Sequence, residues 1–500
     1  MKKPKNGKKK FSREYFFVIL LFLIILGARL FITLNEPGFE YDAYDALRQA
    51  EHIKQTGLPL FQDSLSYSGR ILVFPPFFYY LLAGFSFILP LTLVAKLIPS
   101  IAFSALVIVI YLIAKHITKN RTAAFIAALF SGFVPVLYTT LNQVSVYSLS
   151  LLLIFLLSYA FLRIEEKGFV ILSIVLTAVL LLTHTSIFVL LISFLVYFLI
   201  LRLEKQKLSI KEVETTLFLF FLALWLNILL YKKAFFLHGI SFIRQNIPAP
   251  LLSAYFMDIS FLGVIYAVGL IPLLLGVYAV YHVLFKTRSR AATLFISFAL
   301  VSFIMLWLKL IPFRAGLLFL SLNLIILSAY SIKIILVSIS KTRMPRLSII
   351  AITFIIILFV LTTATPFVST LTIHRPPAED IKALEWIKEN THEDDIVLGR
   401  VEEGFLINYI AERKNVADSN FLFIKNINQR YEDVNHLFTL RLKSEAVRLI
   451  NKYDIDYIFL STRSMDEYSM AELFYAEEDC LELVYDKDAL IYEFLRCNIE

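Results

Sequence analysis

The chain has 500 residues, of which 58% are hydrophobic, 15% aromatic and only 18% charged, with a mean hydropathy of +0.73. An ordinary soluble domain is about 25% charged and less apolar, so a single soluble enzyme and a disordered chain are excluded and a polytopic membrane protein is expected. The net charge of +8 conceals an asymmetry: residues 1–371 hold 33 Lys and Arg against 13 Asp and Glu, whereas residues 372–500 hold 15 against 27. A basic membrane body is therefore expected to carry a soluble acidic domain. The basic residues lie in short clusters between apolar runs, as orientation signals do, and do not form a nucleic-acid patch.

The predicted elements begin with a basic tail, 1–14, and a first span at Tyr15–Leu34, which lacks the small-residue pattern of a cleaved leader. Further crossings are expected near 94–114, 122–139, 145–162, 168–183, 186–201, 215–231, 259–285, 291–308, 315–338 and 347–369, making about 11 transmembrane helices within a body spanning 15–371. The run Ile71–Leu93 is ambiguous. It contains Pro75, Pro76 and Pro90, and Phe77-Phe78-Tyr79-Tyr80 suits an interface. If it does not cross, the cytosolic segments hold 22 Lys and Arg against 8 outside; if it crosses, the bias inverts to 12 against 18. The first arrangement satisfies the positive-inside rule. It makes 35–93 one large external loop, puts the N-terminus in the cytosol and places 372–500 outside it.

The domain 372–500 reads as α/β. Helical pattern at Glu379–Asn390 precedes the strand Ile396–Leu398; Phe405–Ala411 precedes Asn415–Ala417; Ser444–Lys452 precedes Asp456–Leu460. Such alternation predicts a small, mainly parallel sheet, and Asp486-Lys487-Asp488 between two apolar runs predicts a closing hairpin. Cys480 and Cys497 are too few for a metal site; two free thiols are the expected state, with a disulfide open to them outside the cytosol.

No phosphate-binding glycine loop, paired-cysteine zinc pattern, HExxH or nucleophile elbow is present. The informative stretch is Gly38-Phe39-Glu40-Tyr41-Asp42-Ala43-Tyr44-Asp45, just past the outer end of the first span. Its three carboxylates can hold a divalent cation, or one can act as a general base; equally, they can decorate the start of a helix over Ala46–Gln55. Ionisable residues at membrane depth usually face a cavity or a partner. Of these, Arg314 after Pro312 can grip a phosphate or snorkel to the interface. His184, in a Thr-His-Thr break between spans, reads more readily as structural than catalytic, and Arg29 and Lys96 as snorkelling or paired.

Together these residues resemble a GT-C-fold glycosyltransferase, the multispan class that uses polyprenyl-phosphate-linked sugars on the non-cytosolic face. The resemblance rests on the acidic first loop, on Gly69-Arg70-Ile71-Leu72-Val73-Phe74-Pro75-Pro76-Phe77-Phe78-Tyr79-Tyr80, on Thr183-His184 and on Pro312-Phe313-Arg314. Glu385-Trp386-Ile387, Arg400-Val401-Glu402-Glu403-Gly404 and Ile410-Ala411-Glu412-Arg413 are similar to the external domain of oligosaccharyltransferase catalytic subunits. Where that family carries a Trp-Trp-Asp-Tyr-Gly motif for the sequon, only Gly404 matches. The resemblance thus implies a single-sugar transferase, nearer in logic to mannosyl- and aminoarabinosyl-transferring relatives.

By that resemblance Asp42 is the catalytic base, with Glu40 next in line. Asp45, Arg70, His184, Arg244, Lys309 and Arg314 are the candidate substrate-binding residues. Thr139–Val144, where metal-using relatives carry a second acidic motif, has no carboxylate. Metal independence is therefore favoured, with Mg or Mn at Asp42 and Glu40 the alternative. The implied reaction is a one-step inverting displacement, with Arg314 stabilising the departing phosphate and Lys309 or Arg244 assisting. The implied partners are a polyprenyl-phosphate sugar donor, a protein, lipid or glycan acceptor, and membrane lipids. A transporter or flippase would show repeated spans and midplane charges; a non-catalytic scaffold and a glycan polymerase or ligase are the other competing readings.

Overall fold

The computed structural model describes residues 13–257, 260–342, 346–370, 375–476 and 479–496. Backbone groups in a bilayer must be satisfied within their own segment, which turns apolar runs into helices. In chain order these are α1 (Arg13–Asn35), α2 (Ala43–Thr56), the two-stranded β1 (Gln62–Asp63) and β2 (Arg70–Ile71), α3 (Phe77–Ser86), α4 (Leu91–Thr118), α5 (Arg121–Gly132), α6 (Tyr147–Leu162), α7 (Phe169–Leu181), α8 (Ile187–Leu203) and α9 (Ile210–His238). The short α10 (Leu252–Tyr255) leads to α11 (Phe261–Val268), α12 (Leu270–His282), α13 (Arg290–Trp307), α14 (Phe313–Ser340) and α15 (Leu347–Thr370). Among the described residues seven helices are long and apolar enough to cross a membrane.

Four of the expected crossings fall on shorter apolar helices, α5 to α8. The run 259–285 is broken at Gly269 into α11 and α12. The ambiguous run forms a strand edge, the ten-residue α3 and the Pro90 start of α4. Ten residues rise about 15 Å, half of a hydrocarbon core, so α3 is too short to cross. Contacts sort the connecting segments onto two faces. On one, Glu40 N–H bonds the Asn142 carbonyl, Phe77 N–H the Leu182 carbonyl, and Asn246 the Phe421 and Ile424 carbonyls. On the other, Glu14 pairs with Lys115 and Arg121, Lys211 with Glu165, and Arg290 with Glu212.

The C-terminal domain builds α16 (Ala378–Asn390), β3 (Ile396–Leu398), α17 (Gly404–Leu406), β4 (Lys414–Asn415), α18 (Ile427–Thr439), α19 (Lys443–Lys452), β5 (Tyr457–Leu460), α20 (Thr462–Tyr468), β6 (Leu481–Asp486) and β7 (Leu490–Phe494). The sheet order is β4-β3-β5-β7-β6. β3 pairs parallel with β4 and β5, while β7 pairs antiparallel with β5 and β6. The sheet is therefore mixed rather than mainly parallel, because the closing hairpin forces antiparallel pairing. Gly404 sits where a Cβ would meet the Ala417 carbonyl at 2.3 Å, so only glycine fits there. Cys480 is buried and disulfide-bonded, which overturns the expectation of free thiols. Its expected counterpart Cys497 lies outside the described residues.

This domain shares a core with the loop 35–93. Phe39, Tyr44, Leu47, Phe78 and Leu82 cluster with Leu384, Ile387, Leu406, Phe459 and Ile491. Leu65 and Tyr67 bond the Asn415 backbone, covering the edge strand β4. A buried ionic joint locks the two together. Arg70 donates to both carboxylate oxygens of Asp418 at 2.8 and 2.5 Å and to Asp63 at 3.1 Å, and Arg48 donates to Asp63 at 2.7 Å. Removing one partner strands the other charges away from water. Arg70→Ala is thus expected to cost about 3–5 kcal/mol, seen as a lower thermal unfolding midpoint in detergent with membrane insertion unchanged. An unaltered midpoint would make the joint energetically idle.

Candidate active site

Asp42 occupies the N-cap position of α2, yet its side chain makes no capping hydrogen bond. It is open to solvent although protein packs around it, so it lines a recess. That surrounding protein strips hydration from the carboxyl and pushes its pKa above the usual carboxylate range. The Ser419 hydroxyl bond and the Arg314 guanidinium oppose the shift, and the Glu402 and Asp418 carboxylates add to it. Glu40 is likewise pushed up by burial and held down by a hydrogen bond from Gln143 and by Arg314. Tyr255 completes the ring: burial raises its phenol, Asp42 and Glu402 add to the rise, and a Ser419 hydrogen bond opposes it. Loop 35–93, the start of α14, segment 239–257 and the C-terminal domain thus converge on one carboxylate.

Of the sequence candidates, Asp42, Glu40 and Arg314 come together here. Asp45 and Arg70 do not. Arg70 is buried in the ionic joint, its guanidinium engaged by Asp63, Asp418 and the Asn420 carbonyl, and so is withdrawn from substrate. Asp45 lies beside that joint, where burial first and Asp418 next raise it to about 7. His184 accepts a hydrogen bond from Ser186 N–H at 3.0 Å and packs on the Tyr147 ring at 4.9 Å, an arrangement that orders the turn into α8. Arg244 is exposed in the turn after α9, and Lys309 in the left-handed turn after α13. Glu402, Ser419, Tyr255 and Gln143 were not singled out from sequence; they reach Asp42 and Glu40 only through the tertiary fold.

Among the described residues no group of three His, Cys, Asp or Glu is arranged to hold a metal ion. One Glu40 oxygen is already taken by the Gln143 amide at 2.6 Å. Beside Asp42 stand the Arg314 guanidinium and the Ser419 hydroxyl together with the Glu402 and Asp418 carboxylates.

Residues 74–231 match the family described as dolichyl-phosphate-mannose-protein mannosyltransferase. The apo oligosaccharyltransferase of Archaeoglobus fulgidus superposes with a TM-score of 0.72 at 15% identity, covering 94% of this chain and 73% of that one. The same organism's AglB, in complex with an inhibitory peptide and a dolichol-phosphate, gives 0.70 at 15% identity over 91% and 70%. ArnT from Cupriavidus metallidurans bound to undecaprenyl phosphate gives 0.55 at 12% identity over 96% and 97%. No curated protein sequence matches significantly. The chain has the GT-C fold of these membrane proteins. Among the described residues, seven helices are long and apolar enough to make it a multi-pass membrane protein.

In this GT-C fold, buried carboxylates sit between the loop and the domain. Burial raises Glu403 to about 7 and Asp380 to about 6, alongside Asp45 at about 7. The stability from their neutral folded forms is full below the unfolded carboxylate value of about 4 and is lost as pH rises through about 7. The unfolding midpoint is therefore expected to fall between about pH 5 and about pH 8, and less steeply in Asp45→Asn. Equal slopes in the two proteins would show that Asp45 is not held neutral.

Proposed function

We propose that the chain transfers a single sugar from a polyprenyl-phosphate carrier to an acceptor hydroxyl, on the face that carries the C-terminal domain. The observation that carries this reading is an uncapped, accessible Asp42 with the Arg314 guanidinium and the domain's Glu402 and Ser419 gathered around it. The acceptor oxygen attacks the anomeric carbon as its proton passes to Asp42. The bond from that carbon to the phosphate oxygen breaks, its electron pair leaving with the polyprenyl phosphate. One displacement inverts the anomeric centre, through a transition state with oxocarbenium character.

Arg314 would balance the charge that gathers on the leaving phosphate, with Lys309 or Arg244 assisting. An apolar pocket of about 280 Å³, lined by Pro75, Pro76, Leu181, Leu226 and Leu230, supports a place for the lipid tail. It adjoins the segment where Tyr231 and Asp45 flank Tyr79. The acceptor would enter between Glu402 and Tyr255. The charge bias of the loops supports a cytosolic N-terminus and an extracytoplasmic domain. The displacement as written needs no metal ion.

A base must be ionised to act, so the acid limb of kcat/KM is expected above the ordinary carboxylate range of about 4. Asp42→Asn should lower transfer of radiolabelled sugar from polyprenyl phosphate by about 10²–10⁴-fold with the protein still folded. Arg314→Ala should lower kcat by about 10²–10³-fold. Equal transfer by Asp42→Asn, or none by wild type across a panel of sugars, would end this reading.

A further inference from the structure

The loop that carries Asp42 is zipped to the turn before α6 by two bonds. Gln143 Nε2 donates to Glu40 Oε2 at 2.6 Å, and the Glu40 N–H donates to the Asn142 carbonyl at 3.0 Å. The turn is itself immobilised. Val144 is buried in the left-handed region at φ 49°. Upstream, the Arg29 guanidinium donates to the Leu137 carbonyl at 3.2 Å and lies 5.0 Å from the Tyr138 ring. Glu40 is two residues from Asp42, so whatever holds Glu40 also aims Asp42.

A divalent cation bridging two carboxylates does two things: it joins their loops and cancels their charge. It also withdraws electron density from its ligands, which weakens a carboxylate as a base. A neutral amide donating to one carboxylate joins the loops without that loss. We propose that Gln143 is a positioning residue standing where a bridging cation would, holding Glu40 so that Asp42 is aimed while keeping its lone pairs free for the acceptor proton. This rests on Asp42 being the base. It predicts that a carboxylate at position 143 restores the need for a metal, since an acidic side chain then faces Glu40, itself beside Asp42, with no amide donor between them.

The test uses the full-length purified protein as wild type, Gln143→Ala, Gln143→Glu and Asp42→Asn, with radiolabelled donor, with EDTA and with added Mn²⁺. Wild-type transfer should be indifferent to EDTA. Gln143→Ala should lose about 10–100-fold in kcat, the range for supporting residues, with donor KM and thermal midpoint little changed. Gln143→Glu should be slow in EDTA and recover at least about tenfold with Mn²⁺. Independently of transfer, Mn²⁺ followed by electron paramagnetic resonance should bind to Gln143→Glu and not to wild type. Full activity of Gln143→Ala, EDTA-insensitive activity of Gln143→Glu, or equal Mn²⁺ binding by both proteins would overturn the clamp. If Gln143→Ala does not fold, Gln143→Glu and the Mn²⁺ titration decide. Should wild type transfer nothing, the functional reading fails, and the Mn²⁺ titration alone still judges the clamp.

Discussion

Arg70 reaches across 348 residues of sequence to grip Asp418, and the site is built on that bond. The guanidinium is buried, as are both carboxylates it touches, so the arrangement survives only if charge and geometry are satisfied together. Two cations, Arg48 and Arg70, face two carboxylates, Asp63 and Asp418. Asp45 lies beside them, and burial, with Asp418 adding and Arg70 and Arg48 opposing, raises it to about 7. Asp418 is followed by Ser419, whose hydroxyl meets Asp42. The joint therefore fixes a domain and, one residue on, a partner of the candidate base.

The recess itself is an assembly of strangers. Asp42 and Glu40 come from the first loop, Arg314 from the start of α14, Tyr255 from the segment after α9, and Glu402 and Ser419 from the C-terminal domain. Several carboxylates converge near a guanidinium where protein has displaced water. Desolvation then dominates, and Asp42 is pushed above its ordinary range. A base aimed at a hydroxyl gains from that shift, provided that it stays ionised at working pH. Gly404 shows how tightly the domain side is packed, since a single methyl group would strike the Ala417 carbonyl.

Several features were legible from residues alone because local physics governs them. The prolines left Ile71–Leu93 ambiguous and the loop charge bias argued against a crossing; the segment is a strand edge and a helix too short to span. The acidic turn between apolar runs at Asp486–Asp488 argued for a hairpin, and β6 and β7 pair antiparallel around it. Arg29 and Lys96 were read as snorkelling or paired; Arg29 holds the Leu137 carbonyl and Lys96 the Glu36 carbonyl at 2.6 Å. The free-thiol reading failed because two cysteines in a sequence carry no information about the distance between them. Arg70 was read as a candidate substrate-binding residue; its burial comes from a carboxylate 348 residues away.

By itself the sequence determined the membrane body, the acidic domain, the non-crossing run and the position of the acidic loop. Hydrophobicity, charge bias and proline act over a few residues and can be read along a line. The tertiary structure alone decided that Asp42 and Glu40 both come near Arg314, that Asp45 and Arg70 belong to a joint, and that Glu402, Ser419, Tyr255 and Gln143 meet the acidic loop. Those outcomes depend on desolvation and hydrogen-bond geometry between segments far apart in sequence. Neither quantity exists until the chain has closed on itself.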